Sequence, residues 1–306
     1  MNMTSSTNDR ETALGETEVK SSEVRSPFRM AVDRFMNNKA AVISLVVLIL
    51  LVLMSLAAPL LTKWDPTMSD LNSSDLPPSS EHWLGTNKTG QDYFARNLYG
   101  GRVIFLIAIV DMIIIMGVGI VLGGLAGYYG GWVDSVIMRT VDVMMNFPML
   151  LLIIILSAFF DTKSVWVLIG IIALTGWSGV TRFVRGIFLN LREQDYVLAA
   201  KLSGCSVWRI IFKHFLPNSM GPIVVNATFL MATLIGLEAA LSLIGFGVPP
   251  STPSWGNILN SALDYFTLQN KPWAWLPPAG LIFTTILCFN FVGDGLRDAF
   301  DPSFEK

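Results

Sequence analysis

Cysteine, histidine and charge are all scarce in this sequence of 306 residues. Two cysteines, Cys205 and Cys288, are too few for a disulfide framework or a cysteine-based zinc site. Two histidines, His82 and His214, are too few and too isolated for a metal cluster. The net charge of −2 argues against a basic nucleic-acid-binding surface. The composition therefore predicts neither a metal ion nor a nucleic acid as a ligand.

Catalytic motifs are missing as well. The sequence has no G-x-x-x-x-G-K-[ST] phosphate loop, no G-x-S-x-G nucleophile motif and no H-E-x-x-H zinc motif. We therefore predict no catalytic residue in this chain. We also predict that the chain by itself hydrolyses neither ATP nor peptide bonds.

Apolar residues are present in excess. Charged residues make up 14% of the chain and hydrophobic residues 52%, whereas soluble domains carry roughly 25% charged residues. A helix needs about 20 apolar residues to cross the hydrocarbon core of a bilayer. Six segments are candidates: residues 40–61, 103–127, 143–160, 164–181, 219–247 and 273–293. Because a span must satisfy its backbone hydrogen bonds internally, the sequence predicts an all-α integral membrane protein with six transmembrane helices.

The distribution of basic residues predicts the orientation of the six helices. With the N-terminus in the cytosol, 15 of the 21 lysines and arginines fall on the cytosolic side and 6 on the outer side. Both termini are therefore predicted to be cytosolic. The predicted layout is a cytosolic tail (1–39), a first transmembrane helix (40–61), an extracytoplasmic loop (62–102), a five-helix core (103–297) that includes a cytosolic loop (190–218), and a cytosolic C-terminal tail (298–306).

The cytosolic loop has the pattern of two short helices joined by a turn. Residues 196–203 favour a helix, and Gly204 follows at a position where a positive φ costs little. Ser206 is placed to cap a second helix over 207–215, and Pro217 is predicted to stop that helix. The second helix carries an apolar stripe that is predicted to lie on the bilayer or in a partner's groove: Trp208, Ile211, Phe212 and Phe215.

Several unusual residues lie within the predicted membrane helices. Gly119, Gly123, Gly127 and Gly131 recur every four residues, a spacing typical of close helix packing, with a role in the substrate path as the alternative. Asp111 and Glu238 are intramembrane carboxylates. A charge at mid-membrane costs at least about 2.5–3.5 kcal/mol, so both should face protein or water. We favour protonation or a bond to a neighbouring helix over a proton or ion relay.

Tryptophans flank the last outer loop. Trp255, Trp273 and Trp275 are predicted to be membrane-interface anchors, the usual role of tryptophan at that depth. Contact with a protein that docks from outside is the alternative.

Short motifs along residues 34–303 resemble one transporter family. Ala199-Ala200, Gly204 and Leu216-Pro217 resemble the EAA loop of permease subunits in bacterial ABC importers; Leu198 takes the place of the family's glutamate, and His214 that of its isoleucine. The remaining motifs resemble the C-type permease of oligopeptide importers: His82-Trp83-Leu84-Gly85-Thr86 with Gly90-Gln91-Asp92, Pro253-Ser254-Trp255-Gly256, and the run from Phe289 to Pro302.

The resemblance implies a type I ABC importer permease fold in the bacterial plasma (inner) membrane. It implies that the chain forms half of a peptide pore with a B-type sister permease, and that it works with two cytosolic ATPases and an extracytoplasmic peptide-binding protein. ATP and magnesium would bind the ATPases, and this chain would bind peptide and lipid but no cofactor. For Glu238 the resemblance implies a structural or gating role. The coupling loop that would dock on the ATPases comprises Leu198, Ala199, Ala200, Gly204, Trp208, Leu216 and Pro217.

Other functions stay open at this point. A permease for dipeptides, nickel or another solute of the same family would share these motifs. An ion-coupled secondary transporter would act without ATPases and would need Asp111 or Glu238. A membrane scaffold would show no ATP-stimulated uptake in the assembled complex.

Overall fold

The computed structural model describes residues 27–160 and 164–301. Within these ranges the chain forms the helices α1 (Pro27–Asn37), α2 (Lys39–Leu56), α3 (Ala58–Leu61), α4 (Tyr93–Tyr129), α5 (Gly131–Asn146), α6 (Met149–Phe160), α7 (Val165–Arg192), α8 (Asp195–Leu202), α9 (Val207–Ile210), α10 (Leu216–Asn218), α11 (Met220–Leu243), α12 (Trp255–Leu259), α13 (Tyr265–Asn270) and α14 (Pro272–Phe300). The prediction of an all-α fold is confirmed.

Five of these helices are long and apolar enough to cross a membrane: α2, α4, α7, α11 and α14. The sixth candidate is the pair α5–α6, which is bent by 82°. The prediction of one continuous helix over 143–160 was therefore wrong. Pro148 explains the break, because it lacks an amide hydrogen and drives Phe147 into an extended conformation (φ −84°, ψ 132°). With 12 residues, α6 is only about 18 Å long and cannot span a core of about 30 Å alone.

Other predicted boundaries also shift. α4 begins at Tyr93, so the last ten residues of the predicted loop 62–102 are helical. α7 continues to Arg192, well past the predicted end at residue 181. The first predicted span, 40–61, is divided between α2 and α3, with Pro59 in the first turn of α3.

The predicted tails are partly helical. Residues 27–37 of the predicted tail 1–39 form α1, which packs against α14. Arg34 of α1 donates to the backbone oxygen of Asp301 at 3.0 Å. At the other end, residues 298–300 of the predicted tail 298–306 extend α14. The rest of the N-terminal tail, residues 1–26, and residues 161–163 and 302–306 lie outside the described residues.

A glycine stripe on α4 allows this helix to pack closely against α7. A Cβ atom on Gly123 would lie 2.7 Å from the backbone oxygen of Thr181, and one on Gly127 would lie 2.8 Å from the Cβ of Phe188. Gly119 faces Val180 equally tightly. Larger side chains at these three positions would force the two backbones apart. Gly131, which continues the four-residue spacing, falls outside α4 and has no atom within 4 Å of its Cβ position.

The glycine contacts also show the relative direction of α4 and α7. Gly119 lies against Val180, Gly123 against residues 181–185, and Gly127 against Phe188. Because residue numbers increase in the same direction along both helices, α4 and α7 are parallel. The chain must therefore return between the end of α4 and the start of α7. The bent pair α5–α6 makes that return, which supports counting it as one of six spans.

At the end where α4 begins and α11 ends, two segments form a joined structure that we call the cap (residues 62–92 and 248–271). Ion pairs connect the two segments: Lys88 with Asp264 at 3.2 Å and Lys271 with Asp75 at 2.7 Å. Within the first segment, His82 Nδ1 lies 2.9 Å from Asp92 Oδ2. The other oxygen of Asp92 accepts from the backbone of Ala95 and so caps α4.

Trp255 belongs to the interior of the cap. It is fully buried, packs edge-on against Phe105, and donates from Nε1 to the backbone oxygen of Asn97 at 2.8 Å. The prediction that Trp255 anchors the membrane interface was therefore wrong. Because the indole N–H already donates to a backbone carbonyl, it does not require a hydrogen-bond acceptor among the lipid headgroups.

The α4–α7 contact generates a test. We expect Gly123→Ala to lower stability by about 1–3 kcal/mol, the usual cost of overpacking. Gly117→Ala is the matched control, since it lies on the same helix with open space around its Cβ position. It should keep or slightly raise stability, because alanine favours a helix over glycine. Thermal unfolding of the two purified variants in detergent compares them directly, and equal midpoints would contradict the packing argument.

Candidate functional site

The connection from α7 to α11 has the features of a functional site. We call residues 193–219 the elbow. It lies at the end of the molecule where α4 and α7 both finish, opposite the cap, and it is built from α8, α9, a π-helical turn over Ile211–Phe215, and α10.

The first half of the elbow ends in a glycine-dependent cap. α8 covers Asp195–Leu202, and Gly204 has a φ of +74°, which confirms the predicted positive φ. The amide of Gly204 donates to Lys201 and that of Cys205 donates to Ala200, at 3.0 and 3.1 Å. These two bonds satisfy carbonyls that the helix end would leave free. The turn between α8 and α9 is therefore fixed by backbone hydrogen bonds.

The second half of the elbow departs from the prediction. Ser206 caps α9 through Arg209, as expected. Pro217, however, does not stop the helix: the chain stays helical to Asn218. The residues before it widen into a π-helical turn, in which the amide of Leu216 donates to Ile211. The wider turn accommodates a proline, which has no amide hydrogen and would otherwise clash with the carbonyl four residues back.

The predicted apolar stripe is split between two faces. Ile211 and Phe215 are fully buried. Ile211 contacts α4 at Gly124, and the Phe215 ring lies 4.9 Å from that of Phe188 on α7. The π turn thus attaches the elbow to the α4–α7 pair.

Trp208 and Phe212 face the other way. Their side chains are 51% and 48% exposed, and their rings stack with centroids 6.0 Å apart. On α8, Leu198 is also exposed, and Leu202 is 90% exposed. We call these four residues the exposed apolar face. Such a large uncovered apolar surface is typical of a contact site.

The remaining predicted residues lie close to this face. Ala199 and Pro217 are exposed, Leu216 is partly buried, and Ala200 is buried. The elbow also carries three basic side chains: Arg209 and Lys213 are exposed, and Lys201 holds its Nζ 4.9 Å above the Tyr128 ring. Burial, and then the nearby charge of Arg192, lower the pKa of Lys201. The exposed surface of the elbow therefore combines apolar side chains with the basic Arg209 and Lys213 and the acidic Glu193 and Asp195.

The intramembrane carboxylates lie far from this surface in sequence and are closed off from solvent. Asp111 on α4 is fully buried, and neither of its oxygens has a hydrogen-bond partner among the described residues. Glu238 is fully buried on α11 and accepts from Ser242 Oγ on its own helix at 2.7 Å. Ser242 in turn accepts from the amide of Val248 at 3.0 Å. Glu238 therefore supports the start of the cap segment 248–271.

Sequence reasoning missed this use of Ser242. It also missed Arg96 on α4, whose guanidinium joins the two cap segments by donating to the backbone oxygens of Pro66 and Pro250. For Ser242 a signal was available, since it follows Glu238 by one helical turn. Among the described residues there is no group of three or more His, Cys, Asp or Glu side chains that could hold a metal ion.

Most of the chain is similar to known proteins. A family model described as the binding-protein-dependent transport system inner membrane component matches residues 119–306, and one described as the N-terminal TM domain of oligopeptide transport permease C matches residues 26–78. The oligopeptide transport system permease protein OppC of Bacillus subtilis (strain 168) is 38% identical over 292 residues, 95% of each chain. That of Escherichia coli (strain K12) is 36% identical over 282 residues, 92% of each. The dipeptide transport system permease protein DppC of Bacillus subtilis (strain 168) is 37% identical over 273 residues, 89% of this chain and 85% of the relative.

The turn at Gly204 can be tested locally. A residue with a Cβ in this backbone conformation costs roughly 1–2 kcal/mol. In Gly204→Ala we therefore expect the backbone amides of residue 204 and of Cys205 to exchange hydrogen roughly tenfold faster than in the wild type. Gly186→Ala is the control, because Gly186 lies inside α7 with open space around its Cβ position. Unchanged exchange in the Gly204 variant would show that the turn does not depend on glycine.

Proposed function

The chain belongs to the family of binding-protein-dependent transport system inner membrane components, and from that premise we propose that it forms half of the peptide pathway of an ATP-driven importer. As a member of this family it is an inner-membrane permease component, and ATP hydrolysis belongs to partner subunits. The partners in this proposal are a B-type sister permease, two cytosolic ATPases and an extracytoplasmic peptide-binding protein.

The exposed apolar face of the elbow is the observation that carries this proposal. Trp208 and Phe212 form a stacked, half-exposed pair, and Leu202 on α8 is 90% exposed. An amphipathic helix of this kind fits a hydrophobic groove on a partner. Aromatic residues are the ones that most often dominate such contacts. In this proposal the groove belongs to an ATPase subunit, and the exposed Arg209 and Lys213 of the elbow favour acidic residues near it.

Contacts behind the exposed face support a rigid connection to the membrane helices. Ile211 and Phe215 fix the elbow against α4 and α7, and α7 is joined to α5 by ion pairs of Arg182 with Asp142 and Arg185 with Asp134. A displacement of the elbow therefore moves a packed unit rather than a loose loop. ATP-driven closure of the ATPases would tilt this unit and open the pathway outward, and hydrolysis would reverse the tilt. The free energy comes from the partners' different affinities for the two states.

Peptide is the proposed substrate because the relatives are named oligopeptide and dipeptide permeases. We place most of the selection among peptide sequences in the binding protein, with changes in this chain affecting the transport rate more than the preference for particular peptide side chains. Both termini and the elbow lie in the cytosol in this proposal, as the distribution of basic residues predicts.

Cys205 provides a native reporter of that orientation. It is partly exposed in the elbow, whereas Cys288 is buried. In a Cys288→Ser background we expect a membrane-impermeant maleimide to label Cys205 only after right-side-out vesicles are permeabilised. Trp83→Cys in a Cys205→Ser, Cys288→Ser chain is the control, since Trp83 is exposed in the cap. It should react without permeabilisation, and the reverse pattern would refute the proposed orientation.

The transport function itself is tested in proteoliposomes that contain the four-subunit complex. With binding protein outside and ATP inside, we expect uptake of labelled trialanine, and none by this chain alone with a proton gradient. Trp208→Ser should reduce ATPase co-purification and uptake by about tenfold or more, since an aromatic anchor contributes about 2 kcal/mol or more.

Trp83→Ser is the matched control for that experiment. It removes an exposed tryptophan from the opposite end of the molecule, so it should leave ATPase co-purification unchanged. Proton-driven uptake by the isolated chain would contradict the proposed function. Full ATPase co-purification with Trp208→Ser would contradict the docking site alone.

A further inference from the structure

The cap contains a polar cavity of about 420 Å³ where α4 begins and α11 ends. Its walls come from both cap segments and from the last turn of α11. Hydroxyl and amide side chains line most of it, among them Thr89, Gln91, Ser251 and Asn260. Arg96 is the charged residue of this lining. The cavity therefore combines one positive charge with many neutral hydrogen-bonding groups.

Arg96 is a buried cation that has only neutral partners. Its side chain is 5% exposed. The guanidinium donates to four oxygens: Gln91 Oε1 at 2.6 Å, the backbone oxygens of Pro66 and Pro250 at 3.2 Å each, and Asn257 Oδ1 at 3.4 Å. Within residues 27–160 and 164–301, no carboxylate forms an ion pair with it. These carbonyls solvate the charge but do not neutralise it.

The six carboxylates of the cap all contact other groups. Four lie next to basic side chains: Asp92 next to His82, Asp75 next to Lys271, Asp264 next to Lys88, and Glu81 next to Lys63. The other two accept from neutral groups, Asp65 from Thr67 and Asp70 from Asn72 and Ser73. None of the six lines the cavity, so Arg96 is the charged group that a ligand would meet there, and it favours an anion.

We propose that this cavity receives the C-terminal carboxylate of the transported peptide, with Arg96 as the group that binds it. A guanidinium matches a carboxylate through two parallel hydrogen bonds. The long bond to Asn257 is the one that the carboxylate most readily replaces. Most amide side chains of the lining are already bonded within the cap, but the hydroxyl groups of Ser69 and Ser251 suit the backbone N–H and C=O groups of the last peptide residues. This inference rests on the proposed function and deepens it.

A small peptide end fits the cavity better than a protein surface does. The site is concave, of a size typical of small-ligand pockets, and its charge lies on a nearly buried side chain rather than on a rim. Docking of an acidic side chain from the binding protein predicts a different result in the same experiment, because it would not depend on the chemistry of the peptide terminus.

The test measures uptake of trialanine and of trialanine amide by the four-subunit complex in proteoliposomes, at concentrations below saturation. The ratio of the two rates in each variant is compared with the wild-type ratio. Because every assay contains the same binding protein, its own preference cancels in this comparison. A general loss of folding or assembly lowers both rates and also cancels.

Two variants remove the free positive charge in different ways. Arg96→Gln removes it outright. Gln91→Glu leaves Arg96 in place and puts a carboxylate where an oxygen already accepts from it at 2.6 Å, so the cap is expected to stay folded even if Arg96→Gln does not. We expect the preference for the free carboxylate to fall about tenfold in both, the size expected for loss of a charge-assisted bond. Lys271→Gln removes another cap cation outside the cavity and should keep the wild-type ratio.

The possible results separate the two proposals. An unchanged ratio in Gln91→Glu would overturn the inference. If the uptake of both peptides fell equally in that variant, the ratio would stay constant, and the result would indicate a structural or binding-protein-docking role. Either result leaves the proposed function intact. If the wild-type complex took up neither peptide with ATP, the proposed function and the inference would both fail.

Discussion

Close approach of α4 and α7 is the constraint on which the remaining architecture depends. Gly119, Gly123 and Gly127 allow two parallel backbones to touch, and parallel neighbours require the chain between them to cross back. The bent pair α5–α6 makes that return. The two helices also end together, which gives the elbow a firm base against Gly124 and Phe188. Without the glycines, neither the return path nor the base of the elbow would keep its present position.

The sequence predicted the features that depend on length and local chemistry. Apolar length was enough to find the membrane helices, and Gly204 and Ser206 marked the turn of the elbow. The break at Phe147–Pro148 was missed because hydropathy stays high across it, although Pro148 was a visible signal. The extension of α4 into the predicted loop 62–102 was missed because Arg96 and Asn97 read as solvent-facing residues, and only tertiary contacts bury them.

The elbow shows where periodicity alone falls short. Regular spacing put Trp208, Ile211, Phe212 and Phe215 on one stripe, and the structure divides them into a buried pair and an exposed pair. In the proposed function the exposed pair binds a partner, while the buried pair holds the elbow against α4 and α7. Sequence spacing cannot make this division, because it depends on which side of the helix meets the α4–α7 pair.

The π turn over Ile211–Phe215 has one more consequence. It places an extra residue in a single turn, and one residue corresponds to about 100° of helical rotation. The direction in which the Trp208 side chain points, relative to the side chains of α11, therefore depends on the extra residue in the π turn. Insertion or loss of one amino acid between Trp208 and α11 would rotate the Trp208 side chain relative to α11 while leaving every membrane helix intact. Relatives should accordingly vary the identity of these residues far more readily than their number.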